Sequence, residues 1–344
     1  MTAPTDAAGI AARRAALRAV LEVETLGAWS NLAVPAAVAE LDDARDRAFA
    51  SHLAYETVRW RGTLDHVLGQ VVTRPLDQVE PELLAVLRLG VVQLLRTDVP
   101  ARAAVDTAVE LARSSVPPQR AAGAGGFVNG VLRAVTRAEI VMPDPSDDPG
   151  GSLSLATAHP RWIVDELLER LGYDGARAAL AADNEPPGVT LRANVDRDGL
   201  LDELHAAGIA AEAGALAPEA VRAPGADPRR LAAVREGRAR VQDESSMLVV
   251  HATGVQPGDR VLDLCAGPGG KSTHLAQLAV PDWSVVAVER EAARADMIGA
   301  AAALSGTDVE VVVADAIDAD VGDGYDVVLL DAPCSGLGVG RRRP

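Results

Sequence analysis

The residues best suited to chemistry lie between positions 265 and 331, where four polar features each follow a predicted strand. A glycine-rich stretch, Cys265 to Lys271, follows the first strand; Glu289 ends the second, Asp315 follows the third and Asp331 ends the fourth. Glycines let backbone N–H groups approach a ligand closely, and the helix start behind them favours a negatively charged group. A carboxylate after the second strand can accept both hydroxyls of a ribose, and Asp315 can bind an adenine edge. One such feature on each strand, in order, predicts a site for an adenosyl compound.

We therefore expect S-adenosylmethionine as the cofactor, with the glycine-rich loop as the cradle for its methionine and ribose parts. The residues expected to bind it are Cys265, Ala266, Gly267, Pro268, Gly269, Gly270, Lys271, Glu289, Asp315 and Asp331.

The same loop has a second interpretation. Gly269-Gly-Lys-Ser272 resembles the end of a phosphate-binding P-loop, and the apolar run ending in Asp331 resembles a strand that carries a magnesium-binding aspartate. The first glycine of a P-loop would fall at position 265, which is cysteine, and Glu289 has no role in that scheme. A P-loop NTPase is therefore the less favoured alternative.

A cysteine follows the fourth strand in the stretch Asp331-Ala-Pro-Cys334. Methylation at C5 of a pyrimidine needs a sulfur nucleophile that attacks C6 and an acid near N3. Cys334 and Asp331 are candidates for these catalytic roles, and the target base would have to leave its stack to reach them. Alternatively, Cys334 is a small buried residue without a chemical role.

Alternating strands and helices must position these residues. Continuous apolar strands joined by helices indicate a parallel sheet covered on both faces, with ligands at the carboxyl ends of its strands. The predicted strands are 260–264, 284–288, 309–313 and 326–330, and the predicted helices between them are 271–278 and 291–304.

The first 140 residues instead show apolar residues at helical spacing and no convincing strand alternation. They predict a compact domain of five or more helices. Residues 141–158 are rich in Pro, Asp and Gly and are predicted to be a linker. Mixed α/β structure is expected from 159 to 241. The predicted helices of the first part are 11–26, 45–68, 81–95, 101–115 and 127–136.

Composition restricts the class of protein. The formal net charge of −16 argues against a protein that coats nucleic acid, although residues 1–140 are close to neutral, with 15 Arg against 16 Asp plus Glu. Two cysteines and six scattered histidines make a disulfide framework or a structural zinc site unexpected, so no metal is predicted. No apolar run is long enough to span a membrane, and the N-terminus is unlike a signal peptide. A cytoplasmic monomer is expected.

Lys271 is the only lysine among 33 basic residues. Abundant Ala, Arg, Gly and Pro suggest a GC-rich coding bias that replaces Lys by Arg wherever Arg fits. A lysine retained under that bias marks a place where a compact charge is needed, or it is retained by chance.

Two stretches, Val261–Lys271 and Asp331–Gly338, resemble the first and fourth motifs of the sun/Fmu-type RNA cytosine-C5 methyltransferases. The likeness is strongest to the RsmB-type enzymes, which methylate small-subunit ribosomal RNA. It extends over nearly the whole chain, because residues 11–137 resemble the NusB-like helical RNA-binding domain of that family. The pieces that carry this looser likeness are Arg45-Asp-Arg47, Asp98-Val-Pro100 and Phe127–Leu132. The pieces that resemble the family's pre-catalytic region are His159-Pro-Arg-Trp162, Asn184-Glu-Pro-Pro187 and Val241–Ser246.

The resemblance implies a different role for Cys334. In this family the attacking cysteine lies in a later Thr-Cys motif, and the proline-linked cysteine helps to release the product. The chain ends at Pro344, so we expect the nucleophile beyond that residue, a C-terminally truncated domain and little turnover from these 344 residues alone. The less favoured alternative is that Cys334 attacks, as the Pro-Cys cysteine does in DNA cytosine-C5 methyltransferases.

The sequence thus predicts an all-α NusB-like domain followed by an incomplete α/β Rossmann-like methyltransferase domain. The predicted divisions are a helical RNA-binding domain at 8–140, the linker at 141–158, a pre-catalytic α/β region at 159–241 and the methyltransferase part at 242–344. The expected activity is S-adenosylmethionine-dependent methylation of cytosine C5 in small-subunit rRNA. The alternative from another class is an RNA-binding, antitermination-like module with an inert catalytic half.

Overall fold

The computed structural model describes residues 6–185, 188–194, 196–280 and 284–334. The described chain divides into two compact units, one of residues 6–185 and the other of residues 188–334. Among these residues, none of the helices combines the length and the apolar character that a membrane span requires.

The first unit contains helices and no strand among its described residues, which confirms the predicted all-α domain. Its helices are α1 (Asp6–Leu26), α2 (Ser30–Val38), α3 (Ala44–Arg59), α4 (Arg61–Val71), α5 (Pro81–Arg96), α6 (Ala101–Ser114), α7 (Pro118–Val135), α8 (Pro149–Thr157) and α9 (Arg161–Asn184).

Helix α5 lies at the centre of this unit. Pro81 occupies its first turn, where a missing N–H is tolerated, and the helix is buried on nearly every side from Ala85 to Gln93. Helices α1, α3, α4, α6 and α7 pack around it. Gly90 allows the close approach of α7, because a Cβ at this position would lie 2.6 Å from Cδ1 of Leu132. One continuous apolar core therefore joins α1 to α7, and α8 and α9 bury a separate smaller cluster.

The first unit differs from the predicted elements in several places. Helix α7 begins at Pro118, whereas the predicted helix begins at 127. The single helix predicted over 45–68 is two helices, because Trp60 has a non-helical backbone between α3 and α4. Helix α2 was not predicted. The predicted linker contains α8, which Asp148 caps by accepting the N–H of Gly151, and Leu153 of this helix is buried. The stretch is rich in turn-forming residues, so its composition gave no indication of this helix start.

The second unit contains two sheets. The first, sheet A, is antiparallel with the order β2-β3-β1-β4. Helix α10 packs on it, and Leu191, Val221 and Leu204 lie in its core. Its elements are β1 (Thr190–Ala193), α10 (Arg197–Ala206), β2 (Glu212–Ala213), β3 (Ala220–Arg222), α11 (Ala232–Arg235) and β4 (Ala239–Val241).

The second sheet, sheet B, is parallel with the order β7-β6-β5-β8 and confirms the predicted fold class. Each predicted boundary in this region agrees with the structure to within one residue. All four strands end at the same edge, and the order reverses at β5, which is where ligands bind in such sheets. The elements are α12 (Glu244–Ala252), β5 (Arg260–Asp263), α13 (Gly270–Ala279), β6 (Ser284–Glu289), α14 (Ala292–Ser305), β7 (Glu310–Val313) and β8 (Val327–Leu329).

Candidate functional site

A cavity of about 680 Å³ opens at the carboxyl ends of the strands of sheet B. Residues from all four strand ends line this cavity, and the sequence predicted that these strand ends share one site. The lining residues are Leu264, Cys265, Gly267, Glu289, Arg290, Glu291, Arg294, Ala314, Asp315, Ala316, Ile317, Leu330, Asp331, Ala332, Pro333 and Cys334.

The predicted loop residues divide into two groups. Cys265 and Gly267 line the cavity, whereas the other predicted loop residues are not part of its lining; these are Ala266, Pro268, Gly269, Gly270 and Lys271. Gly269 adopts a left-handed conformation with φ of +87°, and a Cβ there would lie 3.0 Å from the Cα of Ile298. A side chain at Gly267 would overlap the carboxylate of Glu289. Gly269 is therefore required by the shape of the loop, whereas a side chain at Gly267 would require the Glu289 carboxylate to move.

Glu289 ties the loop to the end of β6. Its buried carboxylate accepts the N–H of Gly267 through Oε2 at 3.1 Å and the N–H of Glu291 through Oε1 at 3.0 Å. Arg294 donates from Nη2 to the carbonyl of Gly267 at 2.6 Å, and its Nε lies 3.6 Å from Oε2 of Glu289. Each carboxylate oxygen retains a second acceptor position for a ligand.

Two more predicted acids reach the cavity from the other strand ends. Asp331 accepts a hydrogen bond from Nζ of Lys271 at 2.6 Å, which links the end of β8 to the start of α13. Asp315 accepts the N–H of Ile317 at 3.1 Å and lies 3.9 Å from a guanidinium nitrogen of Arg290.

The two cysteines differ in their surroundings. Burial, together with the charges of Asp263, Glu289, Asp315 and Asp331, raises the pKa of the Cys265 thiol, so this cysteine stays protonated. Cys334 is exposed at the cavity. Of the two cysteines, Cys334 is therefore the more accessible at the cavity. Residues 335–338 of the predicted fourth motif lie outside the described residues.

The chain is similar to known proteins over nearly its whole length. Residues 250–344 match the model of the 16S rRNA methyltransferase RsmB/F family, residues 10–137 the NusB family, and residues 159–226 the ferredoxin-like domain of the RsmF/B-like methyltransferases. The protein Rv1407 of Mycobacterium tuberculosis is 44% identical over 97% of this chain and 74% of its own length. Ribosomal RNA small subunit methyltransferase B of Pseudomonas putida is 35% identical over 96% of this chain and 76% of its own.

The chain belongs to the RsmB/F family of 16S rRNA methyltransferases.

The solved structures agree with this family at the level of the fold. The crystal structure of PH0851 covers 99% of this chain and 78% of its own, with a TM-score of 0.76 at 23% identity. A methyltransferase homolog protein from Pyrococcus horikoshii covers 58% of this chain and 67% of its own, with a TM-score of 0.52 at 24% identity. Membership of the RsmB/F family confirms the resemblance seen in the sequence and leaves the P-loop alternative without support.

Sequence reasoning missed one buried acid of this RsmB/F member. Asp263 ends β5 directly before the loop, is 2% exposed and accepts a hydrogen bond from Oγ of Ser272 at 2.7 Å. Burial raises its pKa to about 6, partly offset by Ser272 and Lys271. A polar residue within the apolar strand Val261-Leu-Asp-Leu264 was the available signal.

A second polar cluster lies outside the cavity lining. Oε1 of Glu219 is 2.8 Å from Nε2 of His274 and 3.1 Å from Nε2 of His251. Burial alone would raise the pKa of Glu219, but the two imidazoles outweigh it and lower that pKa to about 2. These three residues are the one group of metal-ligating type found in the described part of the chain. One carboxylate facing two imidazoles is sufficient to explain the arrangement as a bridge from the start of β3 to α12 and α13.

Proposed function

We propose that this RsmB/F member transfers a methyl group from S-adenosylmethionine to C5 of a cytosine in small-subunit rRNA. The observation that carries the proposal is the cavity at the carboxyl edge of sheet B. Glu289, Asp315, Asp331 and the loop backbone all meet there, together with Cys334.

The residues present fit an adenosyl cofactor. A volume of about 680 Å³ is within the range of small-molecule sites. The loop keeps a glycine at 267, where a Cβ would overlap Glu289 and narrow the cavity wall. Glu289 and Asp315, from adjacent strands, offer acceptors for hydroxyl and amino groups. When bound, S-adenosylmethionine would supply a methyl group on a positively charged sulfur, and the surrounding carboxylates favour that charge.

The substrate side of the proposal rests on Asp331 and Cys334, two strand-end residues three positions apart. Lys271 holds the carboxylate of Asp331 at 2.6 Å, which orients it toward the same cavity that Cys334 lines. A flipped cytosine would bind here, with Asp331 near N3. By resemblance to the family, Cys334 assists release of the product instead of attacking C6.

The activity is tested on the rRNA of cells. Bisulfite sequencing of small-subunit rRNA, which leaves 5-methylcytosine unconverted, would compare a strain lacking the gene with the parent. We expect one or more cytosines to lose protection in the deletion strain and regain it with the complete reading frame that contains these residues. An unchanged bisulfite pattern would overturn the proposal and favour the alternative of an RNA-binding module.

The cofactor is tested separately on the purified chain. Isothermal titration with S-adenosylhomocysteine and with ATP distinguishes an adenosyl site from a phosphate-binding loop. We expect binding of the former, weakened about tenfold in Glu289→Gln because a charge-assisted hydrogen bond to a ribose hydroxyl is lost. Binding of ATP alone would contradict the proposed cofactor.

A further inference from the structure

Two arginines of sheet A reach the glycine-rich loop Cys265–Lys271 that follows β5 of sheet B, which is called the cofactor loop below. From β1, Arg192 donates through Nη1 to the carbonyl of Gly270 at 2.7 Å. From β4, Arg240 donates through Nη2 to the carbonyl of Pro268 at 2.8 Å. These residues are separated from the loop by 78 and 28 positions, so the contacts exist only through the tertiary fold.

Arg192 is an unusual residue for a protein core. Its side chain is fully buried, and burial, reinforced by the nearby charge of Arg240, lowers its pKa to about 9, so it remains a cation near neutral pH. Its hydrogen bonds within the described chain go to neutral oxygens. These are Gln242 Oε1 at 2.7 Å, Gly270 O at 2.7 Å, Thr273 Oγ1 at 3.0 Å and Asn194 Oδ1 at 3.1 Å. Burying a guanidinium is costly unless its donors are satisfied, and the loop supplies part of that satisfaction.

Thr273 connects Arg192 to a second carbonyl of the loop. The hydroxyl of Thr273, which accepts from Arg192, donates to the carbonyl of Gly269 at 2.7 Å. With Arg294 on Gly267, the carbonyls of positions 267, 268, 269 and 270 are each held by a side chain. In a trans peptide the following N–H points opposite to its carbonyl. Holding the carbonyls of Gly269 and Gly270 therefore fixes the direction of the N–H groups of Gly270 and Lys271, which have no partner within α13, and with it the backbone that follows the cavity-lining residue Gly267.

We propose that Arg192 and Arg240 are positioning residues of the cofactor loop, so that sheet A is an integral part of the cofactor site. This proposal rests on the proposed use of an adenosyl cofactor. It extends that function by making cofactor affinity depend on a sheet that contributes no residue to the cavity lining. The contrasting explanation is that the two arginines only hold sheet A against α13.

The test measures S-adenosylhomocysteine binding to the purified chain by titration calorimetry, and Tm in parallel. Arg240→Met removes the donor to Pro268 and leaves an unbranched apolar side chain in place of the arginine stem. We expect Kd to rise about tenfold with little change in Tm, and Arg240→Lys to recover part of the affinity because it keeps one donor. Arg192→Lys is the second variant, expected to weaken binding by a larger factor because it cannot serve all four acceptors.

The matched control is Arg222→Met. Arg222 lies on β3 of the same sheet, is exposed and pairs with Glu212 at 3.2 Å, without contact to the loop. Its replacement is expected to leave Kd unchanged. Equal Kd values for the unaltered chain, Arg240→Met and Arg192→Lys would overturn the proposal. Losses of affinity that are fully accounted for by a lower Tm would overturn it as well.

Hydrogen exchange separates this proposal from the proposed function. Without any ligand, Arg240→Met is expected to accelerate exchange of the amide of Gly269, which donates to the carbonyl of Ala266 at 2.7 Å and directly follows the carbonyl that Arg240 holds, and to leave the amides of β6 unchanged. If the unaltered chain binds no adenosyl ligand, the proposed use of that cofactor is wrong. Faster exchange confined to the loop would still support the positioning role of Arg240. Unchanged exchange in the loop would refute the positioning role, even if the chain binds the cofactor.

Discussion

The pair of Lys271 and Asp331 shows how one residue type is selected by local geometry. Nζ lies 2.6 Å from Oδ2 of Asp331, and the lysine side chain is only 20% exposed. A guanidinium is broader and planar and would displace either the aspartate or the loop backbone. This agrees with the retention of a single lysine in a chain that otherwise uses arginine.

We predict that arginine at position 271 does not preserve the affinity for the cofactor. Both Lys271→Met and Lys271→Arg should weaken S-adenosylhomocysteine binding about tenfold, because loss of a charge-assisted hydrogen bond of about 1.5–3 kcal/mol frees Asp331. Titration calorimetry measures this, with Arg222→Met as the unaffected control. Full affinity in Lys271→Arg would show that the lysine was retained by chance.

The bridge of Glu219, His251 and His274 predicts an acid-sensitive second unit. The pKa of Glu219 in the folded state, about 2, is below its usual 4.5, so its contribution is complete above pH 4.5 and is lost as the pH falls toward 2. Burial also lowers the pKa of His274 below 6.5, so the unfolded chain takes up a proton first as the pH falls. Stability should therefore decrease from about pH 6.5 downward.

The variant Glu219→Gln tests this bridge through urea unfolding from pH 7 to pH 3. We expect a loss of about 1–3 kcal/mol at pH 7, because the buried imidazole loses its charged partner, and a shallower decline toward pH 3. A decline as steep as that of the unaltered chain would show that other groups govern the acid sensitivity.

At the scale of elements, the turn from β5 to α13 depends on backbone geometry that side chains would disturb. Gly269 caps α13 with a φ of +87°, close to the backbone of α14 at Ile298. Because the neighbouring atom belongs to the backbone, it cannot move aside as a flexible side chain would.

We predict that Gly269→Ala destabilises the second unit by about 1–3 kcal/mol, from left-handed strain and from the contact with α14. Gly299→Ala is the matched control, since Gly299 lies within α14 with open space at its Cβ position. That control should stabilise by about 0.5–1 kcal/mol, because alanine is the better helix former. Chemical denaturation of both variants measures the difference, and equal effects would contradict this account of the turn.

At this scale the parallel sheet was predictable and the helical unit less so. The strands of sheet B are largely apolar runs of three to six positions, and helices α13 and α14 separate the first three of them, so local pattern determines them. The division of 45–68 into α3 and α4 at Trp60 was not predictable, because apolar spacing continues through the break. The α8 helix was concealed because its cap and its buried Leu153 lie in a composition typical of loops.

At the scale of the whole molecule, the first unit has a core of its own. Helices α1 to α7 share one continuous cluster of buried apolar side chains. Burial of this extent supports independent folding of a domain of this size.

We predict that residues 1–186, produced alone, fold as a helical unit with a cooperative thermal transition by far-UV circular dichroism. Leu132→Ala should cost about 2–5 kcal/mol both in this fragment and in the whole chain, because Leu132 is fully buried against Gly90 within the unit. Leu95→Ala, at an exposed side chain of α5, is the control and should cost far less. A fragment that lacks a cooperative transition would contradict the prediction.

The sequence alone determined which residues follow each strand of sheet B, and hence that the loop, Glu289, Asp315 and Asp331 share one edge. This was possible because strand and helix periodicity and glycine-rich turns are local properties of the chain. Only the tertiary structure decided that Arg192 and Arg240 hold that loop, and that Glu219 faces two histidines of other elements. Such contacts join positions up to 81 residues apart, and they depend on how one sheet packs against the helices of another, which no local pattern encodes.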